Sequence, residues 1–566
     1  MTRQTRDRTT ELLTVDQLTV GYRTAGGFGG RQRTLAVRDV GLTIGRGEIV
    51  AVVGESGSGK STTAHALIGL LPRTAAIDAG RAVLTAGGRA HDLLGLSERR
   101  RRSVRGRLIG FVPQDPMVAL NPVKRIGDQV AEVLLVHKIA TKREARHRAI
   151  DALAEAGLDQ PTVRAGQYPH QLSGGMRQRA LIAQAMIAGP ELLIADEPTS
   201  ALDVTVQRRI LDRITELTLG SGTGVLLITH DLGVAAERAD RIVVMKSGRV
   251  VEQGSADDIL HRAEHPYTQA LLAAAPSLSS VPLITERPVQ PPTAPDPAQP
   301  LLAVEGLVKE YQLPGVHAPF RAVDDVGFTI GRAETYGLVG ESGSGKSTTA
   351  RLAARLIDPD SGSVILDGAD VTRTDGEALR RLRRRFQVVY QNPYASLDPR
   401  LTIEAIIAEP LSAFRDADRH RPDPVARRRR VTELVDRVAL PSSVLRRRPA
   451  ELSGGMRQRV AIARALALQP ELVILDEPVS ALDVSVQAKI LELLVSLQDD
   501  LGLSYLFISH DLAVIRQIAH RVGVMRAGRL IESGPTDAIF EQPDSDYTRD
   551  LLDAIPGRQP AMEGRS

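Results

Sequence analysis

Apolar positions follow the same order twice along the chain, about half a chain apart. Each copy opens with an alternating stretch, at 12–22 and at 301–311, whose period of two predicts a half-buried β-strand. A continuous apolar run follows at 48–54 and at 334–340, and it predicts a strand that is buried on both faces, as in a parallel sheet. We therefore expect one structural module that the chain contains twice.

Helices and strands alternate after each of these runs. In the first copy, helices are predicted at 61–71 and 176–188, and buried strands at 191–198 and 224–232. This alternation predicts an α/β domain with a mainly parallel sheet. The segment 114–172 is mostly helical in pattern, which predicts an inserted helical subdomain, and the second copy repeats the whole order.

A proline-rich stretch at 276–300 separates the two copies. Its eight prolines and few apolar residues leave little to pack, so we predict an extended, semi-rigid tether. The expected domains are therefore 1–275 and 301–556, each with a C-terminal extension. The last residues, 557–566, are predicted to be a disordered tail.

Composition agrees with two globular domains and excludes several kinds of site. At 566 residues the chain exceeds a single core, because domains have roughly 100–200 residues. Hydrophobic residues make up 42% and charged residues 25%, which excludes a disordered or fibrous chain. The 72 basic and 68 acidic residues leave a net charge of +4, too small an excess to require nucleic acid. The absence of cysteine excludes disulfides, thiolate zinc sites, iron–sulfur clusters and a cysteine nucleophile.

Neither a secretion signal nor a membrane span is visible in the pattern. The N-terminal residues lack the apolar core of a signal peptide. No stretch approaches the ~18–20 consecutive apolar residues that a membrane span needs. We therefore expect a cytosolic chain that reaches a membrane only by docking on other subunits.

The glycine-rich octapeptide GESGSGKS occurs at 54–61 and again at 340–347, each time between a predicted strand and a predicted helix. Such glycines let backbone N–H groups cradle phosphate oxygens at a helix N-terminus, while the lysine reaches the outer phosphates and the serine binds Mg²⁺. A chance glycine turn is the alternative, and two occurrences in this setting argue against it. The predicted phosphate-binding residues are Gly54, Ser56, Gly57, Gly59, Lys60, Ser61, Thr62, Gly340, Ser342, Gly343, Gly345, Lys346, Ser347 and Thr348.

An acidic pair closes a buried strand in each copy, as Asp196–Glu197 and as Asp476–Glu477. The aspartate is placed to hold the Mg²⁺ shell, and the glutamate is suited to polarise an attacking water. An acidic pair at a strand end is often only a turn or a helix cap. The glycine loops upstream favour the catalytic interpretation here.

The segment LSGGMRQR at 172–179 recurs unchanged at 452–459. A serine and two glycines that open a helix form a second anion site, although a simple helix cap by Ser173 or Ser453 is the alternative. Because LSGG lies after a helical insertion and before the acidic strand, it resembles the signature motif of ABC-type ATPases. The resemblance implies that both copies bind ATP, with signature residues Ser173, Gly174, Gly175, Ser453, Gly454 and Gly455.

Other short segments match the same family. The resemblance implies a glutamine loop that senses Mg²⁺ and water and couples to the transmembrane partner, a D-loop, a switch histidine that contacts the γ-phosphate, and an aromatic residue that stacks on adenine. The corresponding residues are Gln114 and Gln391, SALD at 200–203 and 480–483, His230 and His510, and Tyr22 and Tyr311. For the two tyrosines, a plain strand-end residue is the alternative.

Segments 265–276 and 546–556 resemble the C-terminal extension of the peptide/nickel import subfamily of ABC transporters. Some members carry cysteines for an iron–sulfur cluster there, and this chain does not. The fold that the resemblance implies is α/β: two P-loop NTPase domains, each with a mainly parallel sheet core, an antiparallel β subdomain and the inserted helical subdomain. It further implies an ATPase with ATP and Mg²⁺, in which each ATP lies between one copy's glycine loop and the other's signature.

The same resemblance implies two transmembrane permease subunits and, through them, an extracytoplasmic substrate-binding protein, at the cytoplasmic face of the membrane, without nucleic acid. A soluble tandem ABC ATPase of the translation-factor kind is the alternative, but that class favours a long charged helical linker. A DNA-repair ABC ATPase is a third possibility, which the absence of zinc cysteines weakens. Peptide, nickel and glutathione all stay open as transported molecule.

Overall fold

The computed structural model describes residues 11–25, 31–199, 204–275, 282–284, 300–312, 319–391, 396–414, 423–480 and 482–555. The chain divides into two compact units after Ala275. The tail at 557–566, most of the linker and the SALD segment at 200–203 lie outside the described residues. Within the described ranges, no helix has the length and apolar character that crossing a membrane requires.

The first unit contains two sheets and a set of helices. Its strands are β1 (Glu11–Ala25), β2 (Arg31–Gly45), β3 (Ile49–Val53), β4 (Ala75–Ala86), β5 (Arg89–Asp92), β6 (Ile109–Val112), β7 (Leu192–Asp196), β8 (Gly224–Ile228), β9 (Arg241–Lys246) and β10 (Arg249–Ser255). Its α-helices are α1 (Lys60–Ile68), α2 (Glu98–Val104), α3 (Pro116–Ala119), α4 (Ile126–Val136), α5 (Lys142–Glu155), α6 (Pro161–Ala165), α7 (Gly174–Met186), α8 (Val204–Ser221), α9 (Leu232–Arg238), α10 (Ala256–His261) and α11 (Pro266–Ala274).

The larger sheet of the first unit has the order β10-β9-β3-β8-β7-β6, and all neighbours except β10 and β9 are parallel. The smaller sheet has the order β2-β1-β4-β5 and is antiparallel. A mainly parallel core with an antiparallel subdomain is therefore confirmed.

Strand β3 shows why the sequence has a continuous apolar run. Ile49, Ala51 and Val53 pack into one hydrophobic cluster, whereas Val50 and Val52 pack into another. Because successive side chains of a strand point to opposite faces, both faces of the sheet are covered. The strand can then carry the glycine loop, which begins at the next residue, on a buried and rigid support.

Helices α3–α6 form the insertion that the helical pattern predicted. They precede α7, and α4 and α5 pack with α7 around a separate apolar cluster that contains Ile126, Leu134, Leu153 and Leu181. The helical subdomain is thereby confirmed, and it supports the signature segment at the start of α7.

The second unit repeats this architecture. Its strands are β11 (Leu302–Tyr311), β12 (Phe320–Ile330), β13 (Thr335–Val339), β14 (Ser361–Leu366), β15 (Ala369–Asp370), β16 (Phe386–Val389), β17 (Leu472–Asp476), β18 (Ser504–Ile508), β19 (Arg521–Arg526) and β20 (Arg529–Pro535). Its α-helices are α12 (Lys346–Ala353), α13 (Gly376–Leu382), α14 (Ile403–Ala413), α15 (Pro424–Arg437), α16 (Gly454–Leu466), α17 (Val484–Leu501), α18 (Leu512–Ile518), α19 (Thr536–Glu541) and α20 (Asp546–Asp553). The sheet orders are β12-β11-β14-β15 and β16-β17-β18-β13-β19-β20.

Leu283 lies in the stretch that we predicted to be an extended tether, but it packs on the second unit. The backbone N–H of Leu283 donates to the carbonyl of Gln517 at 3.0 Å, and its side chain packs on the core of the second unit. An apolar residue between prolines thus finds a packing site, which composition alone does not indicate.

The first backbone N–H of the central strand is held differently in the two units. Asp240 accepts from Ile49 N at 2.9 Å in the first unit, whereas His520 Nδ1 accepts from Thr335 N at 3.0 Å in the second. Burial lowers the pKa of His520, and the negative charge of Glu334 opposes this shift only in part. The ring is therefore neutral, as an accepting Nδ1 requires.

We expect acid to destabilise the second unit through His520. The unfolded chain binds a proton at this histidine near the ordinary pKa of ~6.5, and the folded chain does so only at lower pH. Stability is therefore fully present above that value and falls as the pH drops below it. Urea midpoints measured from about pH 7.5 to about pH 5.5 should fall less steeply for His520→Asp, which carries the first unit's residue. Equal slopes would contradict this explanation.

Candidate nucleotide-binding and hydrolysis site

The glycine loop joins β3 to α1 and requires glycine at its first residue. Gly54 has a φ of 146°, and a Cβ there would lie 2.2 Å from the carbonyl oxygen of Met245 on β9. Gly59, which caps α1, has a φ of 102° and is equally confined, since a Cβ would lie 2.6 Å from the carbonyl oxygen of Ala36. The loop is thus wrapped against the sheet, and its middle residues Ser56 and Gly57 are exposed.

Lys60 lies under this loop with its charge directed at backbone oxygens. Its side chain is almost buried, and Nζ donates to the carbonyls of Gly54 at 2.6 Å and Glu55 at 3.0 Å. In the second unit Lys346 donates to Gly340 and Glu341, both at 2.7 Å. The lysine ammonium group inside the loop can therefore bind an anion that approaches from the exposed side of the loop.

A serine and an aspartate oxygen meet at the start of α1. Ser61 Oγ donates to Asp196 Oδ1 at 2.9 Å, and Ser347 Oγ donates to Asp476 Oδ1 at 3.0 Å. Burial raises the pKa of both aspartates, and the serine hydrogen bond opposes the shift. Adjacent hydroxyl and carboxylate oxygens are ligands that Mg²⁺ prefers, so the residues present fit this ion.

Glu197 follows Asp196 in an unusual backbone conformation. Its φ is 45°, and its N–H donates to the carbonyl of Ile228 at 2.9 Å. A left-handed glutamate is uncommon and costs free energy, and such strain clusters at functional sites. The conformation turns its carboxylate toward Gln114, whose Nε2 donates to Oε2 at 2.9 Å, and toward His230, whose Nδ1 lies 3.4 Å from the same atom.

The second unit repeats this arrangement. Glu477 has a φ of 47°, Gln391 Nε2 donates to its Oε2 at 2.7 Å, and His510 Nδ1 lies 3.2 Å from that oxygen. Burial alone would raise the pKa of Glu197 and of Glu477, but the hydrogen bond and charge of the neighbouring histidine outweigh it and lower the pKa of both. Each unit therefore holds an ionised carboxylate beside a Mg²⁺-type oxygen pair.

The signature serines lie at helix starts. Ser173 caps α7, where its Oγ accepts from the N–H of Met176 at 3.4 Å, and Ser453 caps α16 in the same way. Both serines therefore act as helix caps, which was the alternative to an anion site. The N–H groups of the following glycines lie at the positive end of the helix, which is favourable for an anion. Anion binding by these residues is still a prediction.

The two candidate adenine-stacking tyrosines are placed differently. Tyr22 Oη lies 3.3 Å from Thr62 Oγ1 in α1, which brings the end of β1 to the helix that follows the glycine loop. Tyr311 is 40% exposed at the end of β11, with Lys309 Nζ 5.9 Å from the centre of its ring. Stacking on adenine stays a prediction for both.

Comparison with known proteins identifies the family. Residues 37–200 and 323–480 each match the ABC transporter family, which together is more than half of the chain. The chain belongs to the ABC transporter family. Residues 251–300 and 531–565 also match the family described as oligopeptide/dipeptide transporter, C-terminal region. These domains are ATPases whose hydrolysis is coupled to transport, and they bind ATP, normally with Mg²⁺.

Relatives of this ABC protein extend over nearly its whole length. The glutathione import ATP-binding protein GsiA of Pectobacterium atrosepticum is 43% identical, with 94% of this chain and 88% of the relative covered. Its counterpart in Salmonella typhimurium is 43% identical, with 97% and 90% covered. A solved dimer of the ATP-binding cassette MJ0796 with ADP and Pi is 30% identical over 42% of this chain and 98% of its own, with a TM-score of 0.38. The family matches and the full-length relatives favour a transporter subunit over the translation-factor and DNA-repair alternatives.

Two features of these ABC domains were not predicted from the motifs. The left-handed backbone of Glu197 and Glu477 is one, and no local signal marks it. The other is a contact of Tyr267 and Tyr547, in the C-terminal regions, with the glycine loops. A tyrosine at the same place in both extension segments was the signal that could have revealed it.

We expect Gly340→Ala to destabilise the second ABC domain far more than Gly343→Ala does. A Cβ at Gly340 would lie 2.2 Å from the carbonyl oxygen of Met525, so the loop and β19 must separate. A Cβ at Gly343 would meet no heavy atom within 4 Å, and its positive φ of 82° costs only about 1–2 kcal/mol. Thermal unfolding of the full chain measures both. If the two substitutions lower the unfolding temperature equally, the short distance to Met525 does not determine the loss of stability.

Proposed function

We propose that this chain energises the import of glutathione or other short peptides through separate permease subunits. The observation that carries the proposal is that one chain holds the residues of a hydrolytic ATP site twice, each set followed by an oligopeptide/dipeptide transporter C-terminal region. The names of the full-length relatives support glutathione as the first substrate to test.

In each half, the glycine loop and its lysine bind the phosphates of ATP. Lys60 exchanges its loop carbonyls for phosphate oxygens, and Ser61 with Asp196 would hold Mg²⁺, which neutralises charge on the phosphates when bound. Lys346, Ser347 and Asp476 do the same in the second half. Binding thereby fixes the terminal phosphate at the carboxyl end of the sheet.

Glu197 then orients water for in-line attack and accepts its proton. Its lowered pKa keeps the carboxylate ionised, and Gln114 and His230 fix the direction in which it points. The strained backbone at Glu197 holds this direction without the substrate. Positioning and charge neutralisation therefore supply most of the catalysis, as expected for phosphoryl transfer.

The two halves work as a pair in this proposal. The signature residues of one half would complete the ATP site of the other, so that Ser453 serves the site of Lys60 and Ser173 serves the site of Lys346. The resemblance to ABC ATPases supports this pairing. A covalent link raises the effective concentration of one half for the other, and so favours it.

The chain would act at the cytoplasmic face of the membrane, on two permease subunits that receive substrate from an extracytoplasmic binding protein. The family match supports permease partners, and ATP is supplied on the cytoplasmic side.

An uptake experiment tests the substrate. Cells that lack this gene are complemented with the wild type or with the double variant Lys60→Met, Lys346→Met, and the uptake of labelled glutathione, a dipeptide and Ni²⁺ is measured. Restoration of glutathione or dipeptide uptake by the wild type alone is the expected result. Restoration of Ni²⁺ uptake alone, or co-purification with ribosomes in place of two permeases, would overturn the proposal.

A further inference from the structure

The hydroxyl of Tyr267 reaches the glycine loop of the first half. Tyr267 lies on α11, in the C-terminal region, and is nearly buried. Its Oη accepts a hydrogen bond from the backbone N–H of Glu55 at 3.1 Å. The carbonyl of Glu55 in turn accepts from Lys60 Nζ at 3.0 Å. One residue of the loop is therefore held by the tyrosine on its N–H and by the lysine on its carbonyl.

The second half makes the same contact. Tyr547 lies on α20, is nearly buried, and accepts from the N–H of Glu341 at 3.3 Å. The carbonyl of Glu341 accepts from Lys346 Nζ at 2.7 Å. Helices α11 and α20 share the tyrosine, the threonine after it and two leucines, and the contact joins the same atoms in both halves.

A glutamate on the last strand fixes the helix that carries each tyrosine. The carboxylate of Glu252, on β10, accepts from the N–H groups of Glu264 at 2.7 Å and His265 at 3.3 Å, directly before α11. Negative charge at a helix N-terminus is stabilising. The helix is thereby tied to the large sheet.

Glu532 does this for α20. Its carboxylate accepts from the N–H groups of Asp544 at 2.8 Å and Ser545 at 3.2 Å, and from the hydroxyl of Thr548. The ring of Tyr547 also lies beneath a cation, with the Arg526 guanidinium carbon 4.7 Å from its centre. The tyrosine hydroxyl consequently has little freedom to move relative to the loop.

We propose that Tyr267 and Tyr547 are positioning residues for ATP, through which the C-terminal region of each half sets the shape of the glycine loop. When the lysine leaves the loop carbonyls for phosphate, the carbonyl of Glu55 or Glu341 keeps its hydrogen bond from the N–H of Ser58 or Ser344, which belongs to the loop itself. The tyrosine hydroxyl still ties the N–H of the same residue to the C-terminal region, so the loop N–H groups stay directed at the phosphates. This inference rests on the glycine loops being the ATP sites, as proposed above.

The full-length double variant Tyr267→Phe, Tyr547→Phe tests the inference because it removes only the two hydroxyls. Loss of one hydrogen bond per site should weaken MgATP binding about 3- to 10-fold by calorimetry. The KM for ATP should rise by a similar factor, while kcat changes less than about twofold, because Glu197 and Glu477 are untouched. If the two tyrosines have a purely structural role, the double variant should lose thermal stability without a rise in the KM for ATP.

Tyr505→Phe is the matched control. Tyr505 is 1% exposed, and its Oη donates to the carbonyl of Leu494 at 2.9 Å, away from the glycine loop. The Tyr505→Phe variant should have a lower unfolding temperature and an unchanged affinity for ATP. If the Tyr267→Phe, Tyr547→Phe variant also loses thermal stability and keeps its affinity for ATP, the positioning role is overturned. If Lys60→Met, Lys346→Met also binds ATP normally, the site assignment itself fails, and the inference fails with it.

Discussion

Replacing Glu477 by Gln should nearly abolish ATP hydrolysis coupled to transport, even with Glu197 intact. Glutamine keeps the size of the side chain and an oxygen that can accept from Gln391, but it cannot take a proton from water. Removing a general base costs about 10²–10⁴ in the rate of that site. Since both halves carry the same residues, we expect both sites to hydrolyse in one coupled cycle. Phosphate release by the full chain with its permeases measures this.

The size of the loss distinguishes coupled from independent halves. Two independent sites would leave about half of the wild-type rate, and this result would contradict the symmetrical scheme. Binding of MgATP should be retained, because Lys346, Ser347 and Asp476 are unchanged. Glu492→Gln, an exposed glutamate on α17, controls for the chemical change and should keep full activity.

The sequence predicted the order of elements better than their ends. The strand expected at 224–232 stops at Ile228, because Asp231 accepts hydrogen bonds from Gly233 and Val234 and so begins α9. The helix expected at 61–71 stops at Ile68, because Gly69 takes a φ of 64°. Both ends depend on single-residue conformations, which the periodicity of apolar positions does not encode.

The motifs predicted correctly which side chains meet. Each motif lies at the end of a strand or helix, and the parallel sheet brings these ends to one edge. Ser61 and Asp196, 135 residues apart in sequence, are an example. The motifs could not predict how the carboxylate of Glu197 is aimed, since its positive φ depends on the bond to Ile228 on the neighbouring strand. The hydrogen bond between Glu55 and Tyr267 spans 212 residues and ends on a backbone atom, so the tyrosine repeated in both extension segments is a signal for the contact but does not identify its partner.

These contacts divide each site into a binding part and a chemical part. In the proposed mechanism, the loop, its lysine and the tyrosine would restrain the phosphates, whereas the glutamate with its glutamine and histidine would act on water. The parts meet at Asp196 and at Asp476, each adjacent in sequence to the catalytic glutamate and bonded to the loop serine. Variants of the two parts should therefore fail in different ways.

Replacing Lys346 by Met should abolish tight ATP binding at that site. Methionine matches the length of lysine but cannot donate to phosphate, and hydrogen bonds to charged groups contribute about 1.5–3 kcal/mol each. A loss of ~10- to 100-fold in affinity follows, since 1.4 kcal/mol is about a factor of ten. The substitution also leaves the carbonyls of Gly340 and Glu341 without this donor, so Glu341 is then held by Tyr547 on its N–H and by the N–H of Ser344 on its carbonyl. Titration of the full chain with MgATP measures the change.

Lys489→Met is the matched control, because Lys489 is exposed on α17 and lies outside the loop. It should bind ATP at both sites with wild-type affinity. Glu477→Gln and Lys346→Met then separate binding from chemistry: the first should bind ATP without hydrolysing it, and the second should bind poorly at the same site. Hydrolysis lost in Lys346→Met with affinity unchanged would contradict the binding role of the lysine, and would place its contribution in the transition state instead.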